Sequence, residues 1–98
     1  MNLIKEAKGD ILNISVIGRL DTVTAPVLEN EIRTSLDGVN TLLLDMNSLE
    51  YISSAGLRVL LAAHKIMAER GGMEVSGCND DILEIFEVTG FSDILNIK

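Results

Sequence analysis

Residues Ile11 to Ile17 alternate strictly: Leu12, Ile14 and Val16 point one way, Asn13 and Ser15 the other. That period of two predicts a strand buried on one face only. Just upstream, Leu3 to Ala7 reads as a second short strand, and Lys8-Gly9-Asp10 supplies turn chemistry between them. Residues 3 to 17 therefore predict an antiparallel hairpin at a sheet edge. At Gly18-Arg19-Leu20-Asp21 the alternation stops, and the strand is expected to end there.

The period then changes to that of a helix. Leu28, Ile32 and Leu36 form one apolar stripe, while Glu29, Asn30, Arg33 and Asp37 fall on the opposite side. Thr24 is the expected N-cap, Pro26 fits the first turn, and Gly38 is a plausible stop. Thr41-Leu42-Leu43-Leu44 is apolar on both faces and predicts a central strand covered on both sides, ending at Asp45. Met46 to Ile52 reads as a polar loop. Leu57 to Arg70 is a second helix, with Leu57, Leu60, Leu61, His64 and Met67 on one face and Gly71-Gly72 as its stop. Met73 to Ser76 is a short strand. Asn79-Asp80-Asp81 caps a third helix carrying Ile82, Ile85 and Phe86, which Gly90 ends, with Phe91 placed for an apolar contact at the helix end. Ile94 to Ile97 closes the chain as a helical turn or a last strand. Strands alternating with helices from Ile11 onward predict an α/β fold. Its sheet is mixed but mostly parallel, has an antiparallel edge and is covered by helices, in one domain over residues 1–98.

Composition narrows the function. The chain has 98 residues, room for one core. Aromatic residues are 3% of it with no Trp, so the core is aliphatic. The formal net charge is -7, with 8 Lys plus Arg against 15 Asp plus Glu. Such a chain is a poor ligand for nucleic acid or for anionic membranes, since both rest on clustered cations. The single Cys forms no internal disulfide, and one Cys with one His builds no tetrahedral metal site. No membrane-length apolar run and no secretory leader is evident, so a cytoplasmic location is expected.

Catalytic sets are missing. His64 is the sole His and lies mid-helix, where a core or partly covered imidazole is the plain reading. Cys78, after Gly77 at a strand end, reads as a small buried thiol. Gly71-Gly72 follows a helix, whereas phosphate-cradling loops precede one. Asp45, at the end of a central strand, occupies a position that α/β sheets often use, but it stands alone. The informative segment is Tyr51-Ile52-Ser53-Ser54-Ala55-Gly56-Leu57. Two hydroxyls open a long apolar helix. One Ser suffices as N-cap, worth about 1 kcal/mol. The first turn carries no Asp or Glu, so the helix's positive end is not neutralised from within. A phosphate added there would meet free N–H groups and bring a charge of about -1.5 to -2.

Tyr51 to Leu61 resembles the signature of the STAS-domain anti-sigma factor antagonists. Gly18-Arg19-Leu20-Asp21 with Ala25-Pro26 is similar to that family's Gly-x-Leu/Ile-Asp segment. Glu84 to Phe91 is similar to its C-terminal helix and Thr/Ser-Gly-Leu/Phe ending. The resemblance spans nearly the whole chain in order and length. It implies a STAS-like domain that is not an enzyme and needs no cofactor or metal. Unphosphorylated, such a protein binds an anti-sigma factor that is a Ser kinase and so frees the sigma factor. Phosphorylation by that kinase with ATP releases it, and a PP2C-type phosphatase restores it. Aligned on Gly56-Leu57, the family phosphoacceptor falls at Ser54, with Ser53 as the alternative. The chain departs from the family pattern at Ser53, where the family has Asp, and at Ala55, where it has Ser or Thr. Asp21, Thr24, Ser53, Ala55, Gly56, Leu57 and Arg58 are the residues expected to support the site or meet the partner. The resemblance also admits another role, an unphosphorylated STAS subunit of a transporter complex or of a stress-signalling scaffold.

Overall fold

The computed structural model describes residues 1–98. Its elements run β1 (Asn2–Lys8), β2 (Ile11–Leu20), α1 (Ala25–Ser35), β3 (Thr41–Asp45), β4 (Leu49–Ile52), α2 (Ser54–Ala68), β5 (Met73–Ser76), α3 (Asp80–Thr89), a 3-10 turn (Phe91–Asp93) and β6 (Asn96–Ile97). One sheet holds all six strands in the order β1-β2-β3-β5-β6, with β4 also pairing β2. The β1–β2 pair is antiparallel and every other pair is parallel. The edge hairpin and the mostly parallel sheet are as the alternation predicted.

Two expectations fail at the same place. The strand expected to end near Ile17 continues to Leu20. Gly18 has φ +102, which an L side chain rarely adopts, and the register with β4 shifts between Gly18 and Arg19. The break in alternation is a bulge, and the strand resumes beyond it. The stretch read as a polar loop contains β4, whose Leu49 and Ile52 are buried while Glu50 and Tyr51 face outward. That in-out-out-in pattern hides a strand from any search for period two. β4 lies beside the upper part of β2, through the pairs Gly18↔Leu49, Arg19↔Tyr51 and Leu20↔Ile52.

The core lies on one side of the sheet. Leu12, Leu42 and Met73 align across β2, β3 and β5, as do Ile14, Leu44 and Val75, and all six are buried. They share a single cluster with Leu28, Ile32 and Leu36, with Leu60 and Met67, and with Ile82 and Phe86. Every helix therefore buries its stripe against the same sheet face. Leu43 lies on the opposite face between Asn13 and Glu74 and is only half-buried. The expectation that β3 is covered on both sides is corrected accordingly. An apolar run signals two-sided burial only when layers exist on both sides, and here one layer is present.

Helix ends are set by local chemistry. Asn79 caps α3 by accepting from the Ile82 N–H at 2.9 Å, and Gly90 ends that helix in the left-handed region. Thr24 precedes α1 as expected, but its side chain does not cap the helix. It has helical dihedrals, and its hydroxyl turns back to the preceding loop instead. Helix α2 begins three residues earlier than its hydrophobic period suggested, and Leu61 and His64 on it are half-buried. At the C-terminus the tail forms the last strand, with Leu95 buried and β6 parallel to β5. No helix is long and apolar enough to cross a membrane.

Leu44, fully buried in the central strand, should be among the costliest truncations. Leu44→Ala is expected to lower stability by about 2–5 kcal/mol, read as a shifted urea midpoint with an unchanged slope. A loss under about 1 kcal/mol would contradict this assignment of the core.

Candidate functional site

Strands β2 and β4 run parallel and finish side by side. Leu20 pairs with Ile52, and the Ser53 N–H donates to the Leu20 carbonyl at 2.9 Å. Beyond that bond β2 turns into the loop Asp21–Thr24, and β4 turns into α2. The topology thus brings two sequence-distant segments to one end of the sheet.

The first turn of α2 packs very tightly. A Cβ built on Gly56 would stand 2.8 Å from both Ile52 Cγ1 and Leu20 Cγ. Only a residue without a side chain lets the helix approach the strand ends this closely. Leu57 next to it is buried, and Ala55 packs half-buried against the core.

The two serines divide the labour. Ser53 is extended, with φ -99 and ψ 176, and its Oγ accepts from the Gly56 N–H at 3.4 Å. Its carbonyl accepts from the Leu57 N–H at 3.0 Å. Ser53 is therefore the N-cap. Ser54 is the first helical residue, exposed to solvent. No acidic residue lies in this first turn. Arg58 follows four residues on, one turn along the same face; it is exposed and outside every ion pair of the chain.

Asp21 organises the neighbouring loop. Its Oδ1 accepts from the N–H groups of Val23 at 3.0 Å and Thr24 at 3.1 Å. The Thr24 hydroxyl accepts from the Asp21 N–H at 2.8 Å and donates to the Arg19 carbonyl at 2.8 Å. The Thr24 N–H, followed by that of Val23, holds the Asp21 carboxyl below its ordinary value of 3.8. Asp21 thus spends its acceptor capacity on its own loop, and no hydrogen bond joins it to Ser54. Its Oδ2 faces Arg19 Nε at 3.9 Å, and the Arg19 guanidinium lies over the Tyr51 ring, 4.3 Å from the centroid. This Arg19–Tyr51 stack escaped the sequence reading because it exists only where β4 pairs β2. Val23 and Val27, 81% and 56% exposed, add an apolar surface beside the loop.

Other candidates are accounted for locally. The Asn47 N–H holds Asp45 below its ordinary value, and Asp45 Oδ2 also accepts from Ser15 Oγ at 3.3 Å, so Asp45 is a turn-forming residue. Burial pushes the Cys78 thiol up to about 11, which keeps it protonated and unreactive at neutral pH. His64 is half-buried, with Nδ1 lacking any partner. No group of three or more His, Cys, Asp or Glu side chains is gathered as a metal site would require.

A family model for the STAS domain matches residues 2–98. The anti-sigma-B factor antagonist of Listeria monocytogenes is 35% identical over 98 residues, spanning 97% of this chain and 85% of that protein. The crystal structure of an anti-sigma factor antagonist from Mycobacterium paratuberculosis is 26% identical, with a TM-score of 0.87 over 98% of this chain and 83% of that one. The anti-sigma factor antagonist SpoIIAA in its unphosphorylated form shares the fold, at 15% identity and a TM-score of 0.78 over 99% of this chain and 87% of that one.

Two outcomes follow from this geometry. Ser53→Ala removes the cap and should lower stability by about 1 kcal/mol, whereas Ser54→Ala should change it by less than about half of that. Equal losses in denaturant unfolding would contradict the division between the two serines. Asp21 has a depressed folded pKa, so its stabilisation is complete above its unfolded value and is lost as pH falls through the folded one. Asp21→Asn should therefore lose less stability than the wild type below about pH 4, and superimposable acid limbs would speak against the loop network.

Proposed function

The chain belongs to the STAS domain family, and we propose that within it this protein is an anti-sigma factor antagonist whose docking surface is the joined ends of β2 and β4. The observation that carries this reading is the exposed hydroxyl of Ser54, the first residue of a helix whose capping is already done by Ser53. The 35% identity to an anti-sigma-B factor antagonist supports it.

In the unphosphorylated state the Asp21 loop, the exposed Val23 and Val27, Tyr51, Ser54 and Arg58 form a surface of mixed chemistry. It binds an anti-sigma factor that is a Ser kinase and thereby frees the sigma factor. In the bound complex Ser54 Oγ attacks the γ-phosphorus of ATP held by the kinase. The Oγ–P bond forms, the bond to the bridging oxygen breaks, ADP departs and the hydroxyl proton passes to a base on the kinase. The product carries a charge of about -2 at the helix N-terminus, stabilised by free N–H groups and the macrodipole. Arg58, one turn along, is drawn to that phosphate and so leaves the docking surface. Phosphorylation thus adds negative charge and withdraws a cation at the same spot, which weakens the complex without refolding the domain. A PP2C-type phosphatase reverses the change by delivering water to phosphorus and releasing inorganic phosphate. The setting is cytoplasmic, and the protein itself catalyses nothing.

Incubation with the cognate kinase and ATP, followed by peptide mass spectrometry, tests the acceptor. A single phosphate is expected on Ser54, retained in Ser53→Ala and absent in Ser54→Ala. Phosphate on Ser53 alone, or undiminished incorporation after both substitutions, would defeat the proposal. Ser54→Asp should weaken kinase binding by about tenfold or more in calorimetry, and unchanged affinity would count against the charge switch.

A further inference from the structure

Helix α3 carries charges that its own fold does not use. Residues 71 to 97 contain Glu74, Asp80, Asp81, Glu84, Glu87 and Asp93, and no Lys or Arg. Glu74 is paired with Lys98 at 3.5 Å; the acids of α3 have no ion-pair partner. Asp80 and Asp81 sit in the first turn, where the macrodipole favours them. Glu84 and Glu87 have no such support. Glu84 lies four residues from Asp80 and three from both Asp81 and Glu87, a spacing at which like charges repel. Glu87 stands in the last turn, against the negative end of the helix, and no basic residue is there to offset it. The ridge costs stability in the free protein.

Apolar side chains flank the ridge on both sides. Val88 is 80% exposed and borders an open groove of about 420 Å³ lined with Asp81, Glu84, Ile85 and Thr89. On the other side Leu83, 37% exposed, borders a second open cavity together with Glu87, Leu95 and Ile97. Acids along the crest with apolar residues in the flanking grooves match an amphipathic segment bearing the opposite charge. Repulsion that is unrelieved within the free chain is relieved by such a partner. A second copy of the chain fits poorly, because two molecules of net charge -7 repel each other. The N-cap of α3, Asn79, donates from Nδ2 to the Leu49 carbonyl at the start of β4 at 3.3 Å, whereas Ser54 lies beyond the opposite end of that strand, after Ile52.

We propose that the outer face of α3 is a second docking surface, for a basic amphipathic segment of a partner protein, separate from the surface around Ser54. Its apolar side chains enter the groove beside Val88, and its Lys or Arg residues meet Glu84 and Glu87. Binding here is independent of the state of Ser54, so one molecule holds two partners at once.

The test uses the full chain, labelled for NMR, with a short Leu/Lys amphipathic helical peptide as probe. Its Leu/Glu counterpart and an oligolysine without leucines serve as controls. Amide shifts are expected to cluster on residues 81–97. Affinity should fall about tenfold in Glu84→Lys/Glu87→Lys and measurably in Val88→Ser, and oligolysine should bind more weakly than the Leu/Lys peptide. The double variant should also melt a few degrees higher than the wild type, since it removes the repulsion. Shifts spread over the other acidic surfaces, an affinity unmoved by the double variant, or a lower melting temperature would each overturn the proposal. So would a concentration-dependent dimer that the double variant abolishes, because the occupant would then be a second copy.

Discussion

The close approach of α2 to the ends of β2 and β4 is the constraint on which the rest depends. It requires a residue without a Cβ at Gly56, where any side chain would strike Leu20 and Ile52. It also requires β4 to lie in register with β2, so that Ser53 can donate to the Leu20 carbonyl. Given both, the helix must start at the rim of the sheet. Its first residue must then face solvent, and the loop after β2 must lie alongside. The position of Ser54 is thus an outcome of packing several residues away from it.

The local chemistry separates residues committed to the fold from residues left free at its surface. Ser53, Gly56 and the Asp21–Thr24 network use their hydrogen-bonding and packing capacity within the fold. Ser54, Arg58, Val23 and Val27 use little of theirs. The second group can therefore meet a partner, or accept a modification, with small consequences for stability. The net charge of -7 matters less in this setting than its distribution. Ser54 begins a turn free of acids, while the chain's densest acidic run lies on α3.

Much of the fold was legible because its signals were strong. The alternation of Leu12, Ile14 and Val16, the stripe of Leu28, Ile32 and Leu36, and the cap at Asn79 each fit one structure only. What escaped has identifiable causes. The bulge at Gly18 interrupted the period of β2, and the two adjacent exposed residues Glu50 and Tyr51 broke that of β4. Without β4, the stack of Arg19 on Tyr51 could not be foreseen, because it depends on register between distant segments. The cap expected of Thr24 failed because a nearer competitor, the Asp21 loop, claims its hydroxyl. Leu43 misled in another way, since its apolar side chain stands on a face that no helix covers. At the site, two hydroxyls opening an apolar helix singled out Ser53 and Ser54, and the resemblance to the STAS antagonists favoured Ser54; the structure adds that Ser53 is the N-cap and that Ser54 is exposed.

The central claim is that one phosphate at Ser54 separates a bound state from a free one. Its most direct measurement is the affinity of the purified kinase-type anti-sigma factor for two forms of the full chain, unphosphorylated and singly phosphorylated at Ser54. The account predicts tight binding of the first and binding at least about a hundredfold weaker for the second, a difference of about 2.7 kcal/mol. Equal affinities for the two forms would contradict it.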